Sequence, residues 1–506
     1  MGSKILFLIV FLSVRAIGSS QPSGEYIDSV LSIAHVTFDP AGISMLIVRE
    51  GEVFYKNAAG FANLDKKEEL STQHLFNIAS CTKAFTAACA GKLVSEQKLN
   101  WKDHIINYVP ILRLSDPFIT ANLNIIDALS HRSGFKTFQG DLLWYHSTYN
   151  DSDVLARMKY LPVVKDFRGE YGYQNNMYLV AGKVIESISG QTWEGYIHEN
   201  FFVPLRMKHS YTSETNSFNK EKIAYPHVNN KPIDIYFWNA CKPAGAIYSS
   251  VEDMAAWLIM LLDSGKYNGN EIIPYSVIQD MFTPRTNLMV SPAQQKFGVH
   301  FRDYGLGWVM YDYNGVKVME HGGGMPGYIS KVAVIPELDL GMVILNNGNN
   351  FFADDAVFYT VLDNFIPGKL LNNNWMEFYL NRQERYYQYK KQRDEGRFED
   401  RLKNTSPSLP LAGYTGLFND KSYGQASVDL KNGKIFLTLL PAGDFFSGEL
   451  KHWHLNTFSV QFNDPYLPFG LVTFDFDHSS KISGFKIDIP NDDFHFQDLY
   501  FNKIHQ

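Results

Sequence analysis

Strand signals at both ends of the first 365 residues, with helical signals between them, restrict the architectures open to this chain of 506 residues. The segment 41–63, AGISMLIVREGEVFYKNAAGFAN, reads as two strands around a turn, and 304–323, YGLGWVMYDYNGVKVMEHGG, carries an Asn-Gly hairpin turn. Between them, apolar periodicity predicts helices at 123–130, 176–188 and 251–263. This order predicts a mixed α/β (α+β) fold, in which both chain ends build one sheet around an inserted helical subdomain.

The character of the sequence changes twice after residue 365. Residues 366–410 contain a charged helical stretch, QERYYQYKKQRDEGRFEDRLK, followed by a Pro and Ser cluster, which together indicate a linker. Residues 411–506 switch to short strand signals and tight turns, typical of a small all-β barrel or sandwich. We therefore expect a large domain at 25–365, a helical linker and a small C-terminal β module.

The N-terminus has the pattern of a secretory signal peptide at residues 1–20. Lys4 precedes an apolar run from Ile5 to Leu12, and small residues follow. The alternative, a buried strand or a retained membrane anchor, is less favoured, because the run is short for a bilayer span of about 20 residues. We expect export to a secreted, extracellular or lumenal location without stable membrane insertion. Asn150 and Asn404 begin glycosylation sequons, which would be acceptors in a eukaryotic secreted protein.

The overall charge excludes one class of partner. The net charge is -7 at pH 7, whereas proteins that bind nucleic acid present a basic face to the phosphates. The sequence therefore predicts no nucleic-acid partner. His452 and His454 alternate as on a strand, but no third metal ligand is evident, so we expect no metal site.

The pattern Ser-x-x-Lys occurs five times, and its context separates one copy from the others. Ser80 and Lys83 lie one turn apart at the start of a predicted helix whose apolar face carries Phe85, Cys89 and Leu93. A serine hydroxyl needs a nearby base to become a nucleophile, and a helix start favours developing negative charge. The other copies lack this setting: they begin at Ser95 in a polar helix end, Ser133 and Ser217 in loops, and Ser483 in a turn of the small module.

Two further motifs follow Ser80 in an informative order. Tyr173-Gln174-Asn175 precedes a predicted helix, and His321-Gly322-Gly323 lies at the end of a predicted strand. The Tyr-x-Asn pattern occurs four times in the chain, but His-x-Gly occurs once. The combination of three motifs in this order is more specific than any one of them.

With these motifs, the chain resembles the superfamily of serine β-lactamases and penicillin-binding proteins, in its class C-like branch of esterases and D-amino-acid peptidases. The resemblance covers about residues 25–365 and includes IIDALSHRSGF, PAGAIYSSVEDMAAW and HGGGMPGYISKVAVIPELDLGMVILNNG. It implies a β-lactamase-like antiparallel sheet flanked by helices. The module after residue 411 more loosely resembles the lipocalin-like barrel attached to some of these peptidases.

The resemblance also implies roles for individual residues. Ser80 would be the acylated nucleophile, and Lys83 its proton acceptor or the partner that lowers its pKa. Tyr173 would act as a phenolate-like base and then as the acid for the leaving group. Asn175 would bind the substrate amide or orient Lys83. The resemblance assigns substrate binding to the third motif: His321 replaces a lysine, Gly323 completes the motif, and the N–H groups of Ser80 and Gly324 form an oxyanion hole. No cofactor or metal is implied.

Two departures from the family pattern bear on the substrate. Gly322 stands where threonine is frequent, and the His321 side chain is mostly neutral at pH 7. Both changes argue against efficient hydrolysis of β-lactam antibiotics. We expect a serine hydrolase that acts on amide or ester bonds of small molecules or short peptides, including peptides that contain D-amino acids. An acyltransferase and a non-catalytic binding protein remain alternatives, and a homo-oligomer is compatible with the sequence.

Overall fold

The computed structural model describes residues 21–212, 220–366 and 373–504. The signal peptide predicted at residues 1–20 and the Ser-x-x-Lys copy at Ser217 lie outside these residues. The strands before residue 350 are β1 (Gly42–Arg49), β2 (Glu52–Asn63), β3 (Glu68–Glu69), β4 (Phe76–Asn77), β5 (His227–Val228), β6 (Lys231–Pro232), β7 (Tyr248–Ser249), β8 (Lys266–Tyr267), β9 (Asn270–Glu271), β10 (Thr286–Asn287), β11 (Arg302–Tyr304), β12 (Val309–Tyr313), β13 (Val316–Met325), β14 (Tyr328–Ile335) and β15 (Leu340–Asn346).

Helices connect and cover these strands. They are α1 (Gly24–Phe38), α2 (Thr82–Ser95), α3 (Pro117–Asn122), α4 (Ile125–Leu129), α5 (Asp151–Arg157), α6 (Asn175–Ser189), α7 (Trp193–Ile197), α8 (Val251–Leu262), α9 (Tyr275–Met281), α10 (Pro292–Lys296), α11 (Phe351–Leu362) and α12 (Trp375–Glu399). The three helices predicted from periodicity are present as α4, α6 and α8. Ser250 caps the N-terminus of α8, because its side chain accepts a hydrogen bond from the backbone N–H of Asp253.

Both ends of the sheet domain, the strands near residue 50 and those after residue 285, contribute to one antiparallel sheet. In the described part of the chain it has nine strands, in the order β10-β11-β12-β13-β14-β15-β1-β2-β3. β1 pairs on one side with β15 and on the other with β2, so the first strand of the chain lies inside the sheet. The prediction of one sheet interrupted by a helical insertion is therefore confirmed.

The two faces of the sheet are covered by different helices. In β1, Ile43, Met45 and Ile47 pack in a core with α1 and α11, whereas Leu46 and Val48 belong to the core that includes α2 and α8. Alternate residues of a strand point to opposite faces, so this near-continuous apolar strand serves both cores.

The C-terminal strands close on themselves. They are β16 (Gly416–Asp420), β17 (Gly424–Lys431), β18 (Lys434–Leu439), β19 (Ser447–His454), β20 (Thr457–Val460), β21 (Gly470–Phe476), β22 (Ile482–Asp488) and β23 (Tyr500–Lys503). Within residues 373–504 they form a closed eight-stranded barrel, which confirms the predicted small β-barrel. Ser483 lies within β22 rather than in a turn, which corrects the sequence prediction for that residue.

The barrel packs directly against the helical subdomain. The ring of Tyr145 stacks on Phe494 at a centroid distance of 3.8 Å, and its hydroxyl donates to Asp464 at 2.8 Å. Lys136 forms an ion pair with Asp498 at 2.7 Å. Among the described residues, no helix combines the length and apolar character needed to cross a bilayer.

Candidate active site

A short turn between β4 and α2 presents Ser80. Ala79–Cys81 forms one 3₁₀ turn, and α2 begins at Thr82, two residues later than the sequence suggested. The delay follows from Ala79, whose φ of 45° lies in the left-handed region. Its backbone N–H donates to the Asn77 side chain at 2.7 Å, which holds the turn. Ser80 is the half-buried residue of this turn, and its side chain lines the cleft described below.

Lys83 is completely buried beneath Ser80. Its Nζ lies 3.0 Å from Ser80 Oγ and donates to Asn175 Oδ1 at 2.6 Å and to the Ala244 carbonyl at 2.8 Å. Burial lowers the pKa of Lys83 to about 7, because the charged form loses its hydration. A large fraction of this side chain is therefore neutral near pH 7.

The neutral form of Lys83 has two N–H groups and one lone pair. Asn175 Oδ1 and the Ala244 carbonyl can only accept hydrogen bonds, so they take the two N–H groups. The lone pair then faces the third neighbour, Ser80, whose hydroxyl can donate to it. The surroundings of Lys83 therefore match the requirements of a general base.

Asn175 connects Lys83 to a carboxyl group that the sequence analysis missed. Asn175 is the first residue of α6, and its Nδ2 donates to Asp141 Oδ2 at 2.6 Å. Asp141 begins the turn Asp141–Leu143 and is only 2% exposed. Burial raises its pKa to about 7, against the opposing effect of the bond from Asn175.

Tyr173 packs beside the same amine. The Lys83 Nζ lies 4.8 Å from its ring centroid, and His131 lies against the ring at 4.2 Å. Burial raises the pKa of Tyr173 well above its usual value, although a hydrogen bond with Ser80 acts in the opposite direction. This environment favours the neutral phenol over the phenolate-like base that the family resemblance implied.

His321 is buried and neutral. Its Nδ1 lies 2.6 Å from the Gly322 carbonyl, which can only accept, so Nδ1 carries the hydrogen. Nε2 then accepts a hydrogen bond from the Tyr304 hydroxyl at 2.8 Å. Burial lowers the pKa of His321 to about 3, and the positive charge of Lys83 adds to the effect. The third motif therefore supplies no positive charge at neutral pH.

The glycines after His321 bring β13 against the turn that holds Ser80. A Cβ atom added to Gly323 would meet Ser330 Oγ at 2.3 Å and the Ile78 carbonyl at 2.5 Å. The nearest atoms to a Cβ on Gly322 or Gly324 are 3.8 Å away, so these positions have space. Gly322 and Gly324 are both exposed along the cleft. Only Gly323 is required by close packing.

Ser80, Tyr173, Asn175 and His321 line one cleft of about 980 Å³, and Lys83 lies buried beneath it. Three parts of the chain line it: the β-sheet domain with Ser80, the helix α12 and loops of the barrel. Tyr387 and Arg393 come from α12, while Tyr466 and Phe494 come from the barrel. No motif in the sequence indicates that the C-terminal module contributes to this cleft.

The other candidates from the sequence lie elsewhere. Ser95 donates to the Lys92 carbonyl at the exposed end of α2, and Ser133 is buried and is not among the residues that line the cleft. Among the residues that the structure describes, no cluster of three His, Cys, Asp or Glu side chains has the arrangement needed to hold a metal ion. The structure brings together Ser80, Lys83, Tyr173, Asn175, His321, Gly323 and Gly324.

Comparison with known proteins identifies two segments. Residues 38–363 match the sequence profile of the family described as Beta-lactamase, and residues 400–503 match a domain of unknown function, DUF3471. Unguisins hydrolase ungD of Aspergillus violaceofuscus is 27% identical over 438 residues, which cover 78% of this chain and 75% of that protein. Protein flp of Staphylococcus aureus is 25% identical, over 67% of this chain and 65% of its own length.

A solved structure shares the overall fold. It is the octameric penicillin-binding protein homologue from Pyrococcus abyssi, with a TM-score of 0.59 and 19% sequence identity. The match covers 95% of this chain and 99% of that chain. The similarity therefore extends over both the sheet domain and the barrel.

Proposed function

Since this chain belongs to the β-lactamase family of serine hydrolases, we propose that it cleaves amide or ester bonds through an acyl-enzyme on Ser80. The observation that carries this proposal is the set of contacts around the buried amine of Lys83. Two carbonyl acceptors occupy its N–H groups, and Ser80 faces the remaining position at 3.0 Å. An amine with a pKa of about 7 is a suitable proton acceptor for a serine hydroxyl at neutral pH.

In the acylation step, Lys83 takes the proton of Ser80 as Oγ attacks the substrate carbonyl carbon. The developing negative charge on the carbonyl oxygen is stabilised by the N–H groups of Ser80 and Gly324. Tyr173, as a neutral phenol, donates its proton to the leaving amine or alcohol and regains one from Lys83. Water then attacks the acyl-enzyme, with Lys83 again as the base, and releases the acid and free Ser80. Every proton taken in one step is returned in the next.

The third motif indicates the substrate class. Neutral His321 and Gly322 provide neither a fixed positive charge nor a hydroxyl group for a carboxylate next to the scissile bond. We infer that the preferred substrates are uncharged at that position, such as amides, esters and short peptides, including those with D-amino acids. The names of the unguisins hydrolases support a hydrolytic reaction in this branch of the family.

The test is labelling with a fluorophosphonate probe, which reacts with activated serines. We expect the wild type to be labelled and Ser80→Ala to remain unlabelled. Ser95→Ala is the matched control, because it removes another Ser-x-x-Lys serine from the exposed end of α2 and should leave labelling unchanged. Absence of an adduct that depends on Ser80 would contradict the proposed function.

Substrate screening then separates the chemical classes. D-aminoacyl amides, short esters and a chromogenic cephalosporin form a sufficient panel, and we expect turnover of the first two. A long-lived acyl-enzyme that is released faster by an added alcohol or amine than by water would identify an acyltransferase instead. Labelling without turnover of any substrate would favour a binding protein.

Export and assembly are further parts of the proposal. The expected signal peptide and the exposed sequon residues Asn150 and Asn404 support secretion as a glycoprotein. Expression of the full chain in eukaryotic cells should yield protein in the medium that shifts in mass with an N-glycosidase. Light scattering of the purified protein tests for a homo-oligomer, which the octameric Pyrococcus abyssi structure supports.

A further inference from the structure

Asp141 is a buried carboxyl group to which the proposed mechanism gives no role. One of its oxygens accepts the hydrogen bond from Asn175 at 2.6 Å. The other, Oδ1, is buried and makes no hydrogen bond of good geometry within the described residues, although the Trp144 side chain is near enough to lower the pKa of the carboxyl group. Asp141 also lines the cleft that contains Ser80. A buried carboxyl group that is only half satisfied is costly for folding, so its presence beside the nucleophile calls for a functional explanation.

The contact with Asp141 determines which way the Asn175 amide points. An asparagine side chain has a donating NH₂ group and an accepting oxygen, and the two ends have nearly the same shape. An ionised carboxylate can only accept, so Asp141 selects the NH₂ end. Asn175 Oδ1 is thereby turned towards Lys83, from which it accepts at 2.6 Å.

The opposite orientation would interfere with the base. If the amide were rotated by a half turn, its NH₂ group would point at Lys83 Nζ. A neutral lysine can accept only one hydrogen bond, through its single lone pair. The amide would then compete with the Ser80 hydroxyl for this lone pair, and the proton of Ser80 would lose its acceptor.

We propose that Asp141 is a positioning residue for acylation, which fixes the Asn175 amide so that the lone pair of Lys83 stays available to Ser80. The inference deepens the proposed function and rests on it, since it concerns the activation of Ser80. It also predicts an electrostatic effect, because a negative charge near Lys83 stabilises the protonated amine.

The charges around Lys83 determine the direction in which its pKa should shift. Ionised Asp141 raises the pKa of Lys83, and removal of its charge lowers that pKa. The other titratable groups around the amine are Cys81 on its own turn, Cys241 before the Lys242–Ala244 turn, Tyr173 and Tyr178 on either side, and His131 and His321. Burial raises the pKa of both thiols and both phenols and lowers that of both imidazoles, so Asp141 is the member of this set with a pKa close to 7.

The test measures the rate of fluorophosphonate labelling of Ser80 between pH 5 and 9. In the wild type, the rate should rise with pH and level off above the pKa of Lys83. Asp141→Asn keeps the shape of the side chain but can present either end to Asn175. We expect its plateau rate to fall by about tenfold or more, and the rising limb of its profile to move to lower pH.

A double variant tests the direction of the hydrogen bonds. In Asp141→Asn combined with Asn175→Asp, the new amide at position 141 can donate to the new carboxylate at position 175, whose other oxygen accepts from Lys83. We expect a plateau rate above that of Asp141→Asn. The rising limb of its pH profile should lie at higher pH than that of the wild type, because the carboxylate now contacts Lys83 directly and raises the pKa of the amine.

Asp354→Asn is the matched control. Asp354 is 1% exposed and its pKa is also raised to about 7, but it accepts from Asn346 rather than Asn175. This variant should label like the wild type. Thermal unfolding of all variants separates loss of folded protein from loss of reactivity.

Two results would overturn the inference. One is an Asp141→Asn protein with the wild-type rate and pH profile, or with a lower rate at an unchanged pH profile, as a purely structural role predicts. The other is a folded double variant that labels no faster than Asp141→Asn. Both results require that the wild type is labelled at Ser80. A wild type that is not labelled would contradict the proposed function itself, whereas either result above would contradict only the role proposed for Asp141.

Discussion

The polar core around Ser80 and the aromatic interior of the barrel show two different uses of burial in one chain. Around Ser80, burial brings the pKa of Lys83 to about 7 and that of His321 to about 3. In the barrel, Phe418, Phe474 and Phe485 pack on one another with ring centroids 4.9 to 6.2 Å apart. Burial of ionisable groups adjusts reactivity and opposes stability, whereas burial of rings stabilises the fold. The two regions should therefore respond to substitution in opposite ways.

The largest effect on reactivity should come from Lys83→Met. Loss of the base should slow fluorophosphonate labelling of Ser80 by about 10²- to 10⁴-fold. The free energy of unfolding should change by less than about 2 kcal/mol, because the loss of three hydrogen bonds and the relief of burying an amine oppose each other. Labelling kinetics and urea titration measure the two quantities. Labelling at the wild-type rate would show that Lys83 is not the base.

The barrel should show the reverse pattern in Phe485→Ala. Removal of this buried ring should lower the free energy of unfolding by about 3–5 kcal/mol, while folded molecules still label at Ser80. Leu417→Ala, at a side chain that is 39% exposed on β16, is the control and should cost less than about 0.5 kcal/mol. Equal losses in the two variants would mean that the barrel does not depend on its aromatic interior.

Gly323→Ala should change both the free energy of unfolding and the rate of labelling at Ser80, because this glycine packs against the turn that holds Ser80. The added methyl group would collide with Ser330 and with the Ile78 carbonyl, at a cost of about 1–3 kcal/mol, and would displace the turn that holds Ser80. Gly322→Ala, one residue away with open space, should retain both stability and labelling. Thermal unfolding and labelling of this pair would refute the steric argument if the two variants behaved alike.

The smallest effect should come from Ala79→Gly. Glycine accepts the left-handed backbone of this position without strain, but it also gains freedom in the unfolded state, so we expect a net stabilisation of about 0.5–1 kcal/mol. Labelling should slow, because the turn before Ser80 becomes less rigid. Lys67→Gly relieves a similar φ of 52° at an exposed turn and should stabilise without any change in labelling. A faster reaction in Ala79→Gly would contradict the view that a rigid turn helps Ser80.

The order of strands and helices could be read from the sequence, because both periodicities depend on local spacing. The helix that follows Ser80 shows the limit. Phe85, Cys89 and Leu93 predicted one apolar face, whereas α2 is buried from Thr82 to Gly91. The helices α6, α7 and α9 and the turn Lys242–Ala244 enclose it from several sides, and such enclosure leaves no periodic signal. The pairing of Ser80 with Lys83 was therefore predictable, but the burial that lowers the pKa of Lys83 was not.

Asp141 shows a second limit of the sequence. Its motif neighbours are far away along the chain, and a single aspartate in GDLLW has no pattern that distinguishes it from a surface residue. Only the fold brings it to Asn175. The barrel loops with Tyr466 and Phe494 were missed for the same reason, since contacts between domains depend on surfaces rather than on spacing.

The position of β1 inside the sheet has a consequence for folding during synthesis on the ribosome. β1 ends at Arg49, yet its partner β15 begins only at Leu340. Because synthesis proceeds from the N-terminus, the segment that contains Ser80 emerges long before the sheet that supports it can be completed. The loops of the barrel that line the cleft emerge later still. A ribosome-bound chain thus carries Ser80 without the surroundings that it has in the folded protein, and the complete cleft can form only when nearly the whole polypeptide has been made.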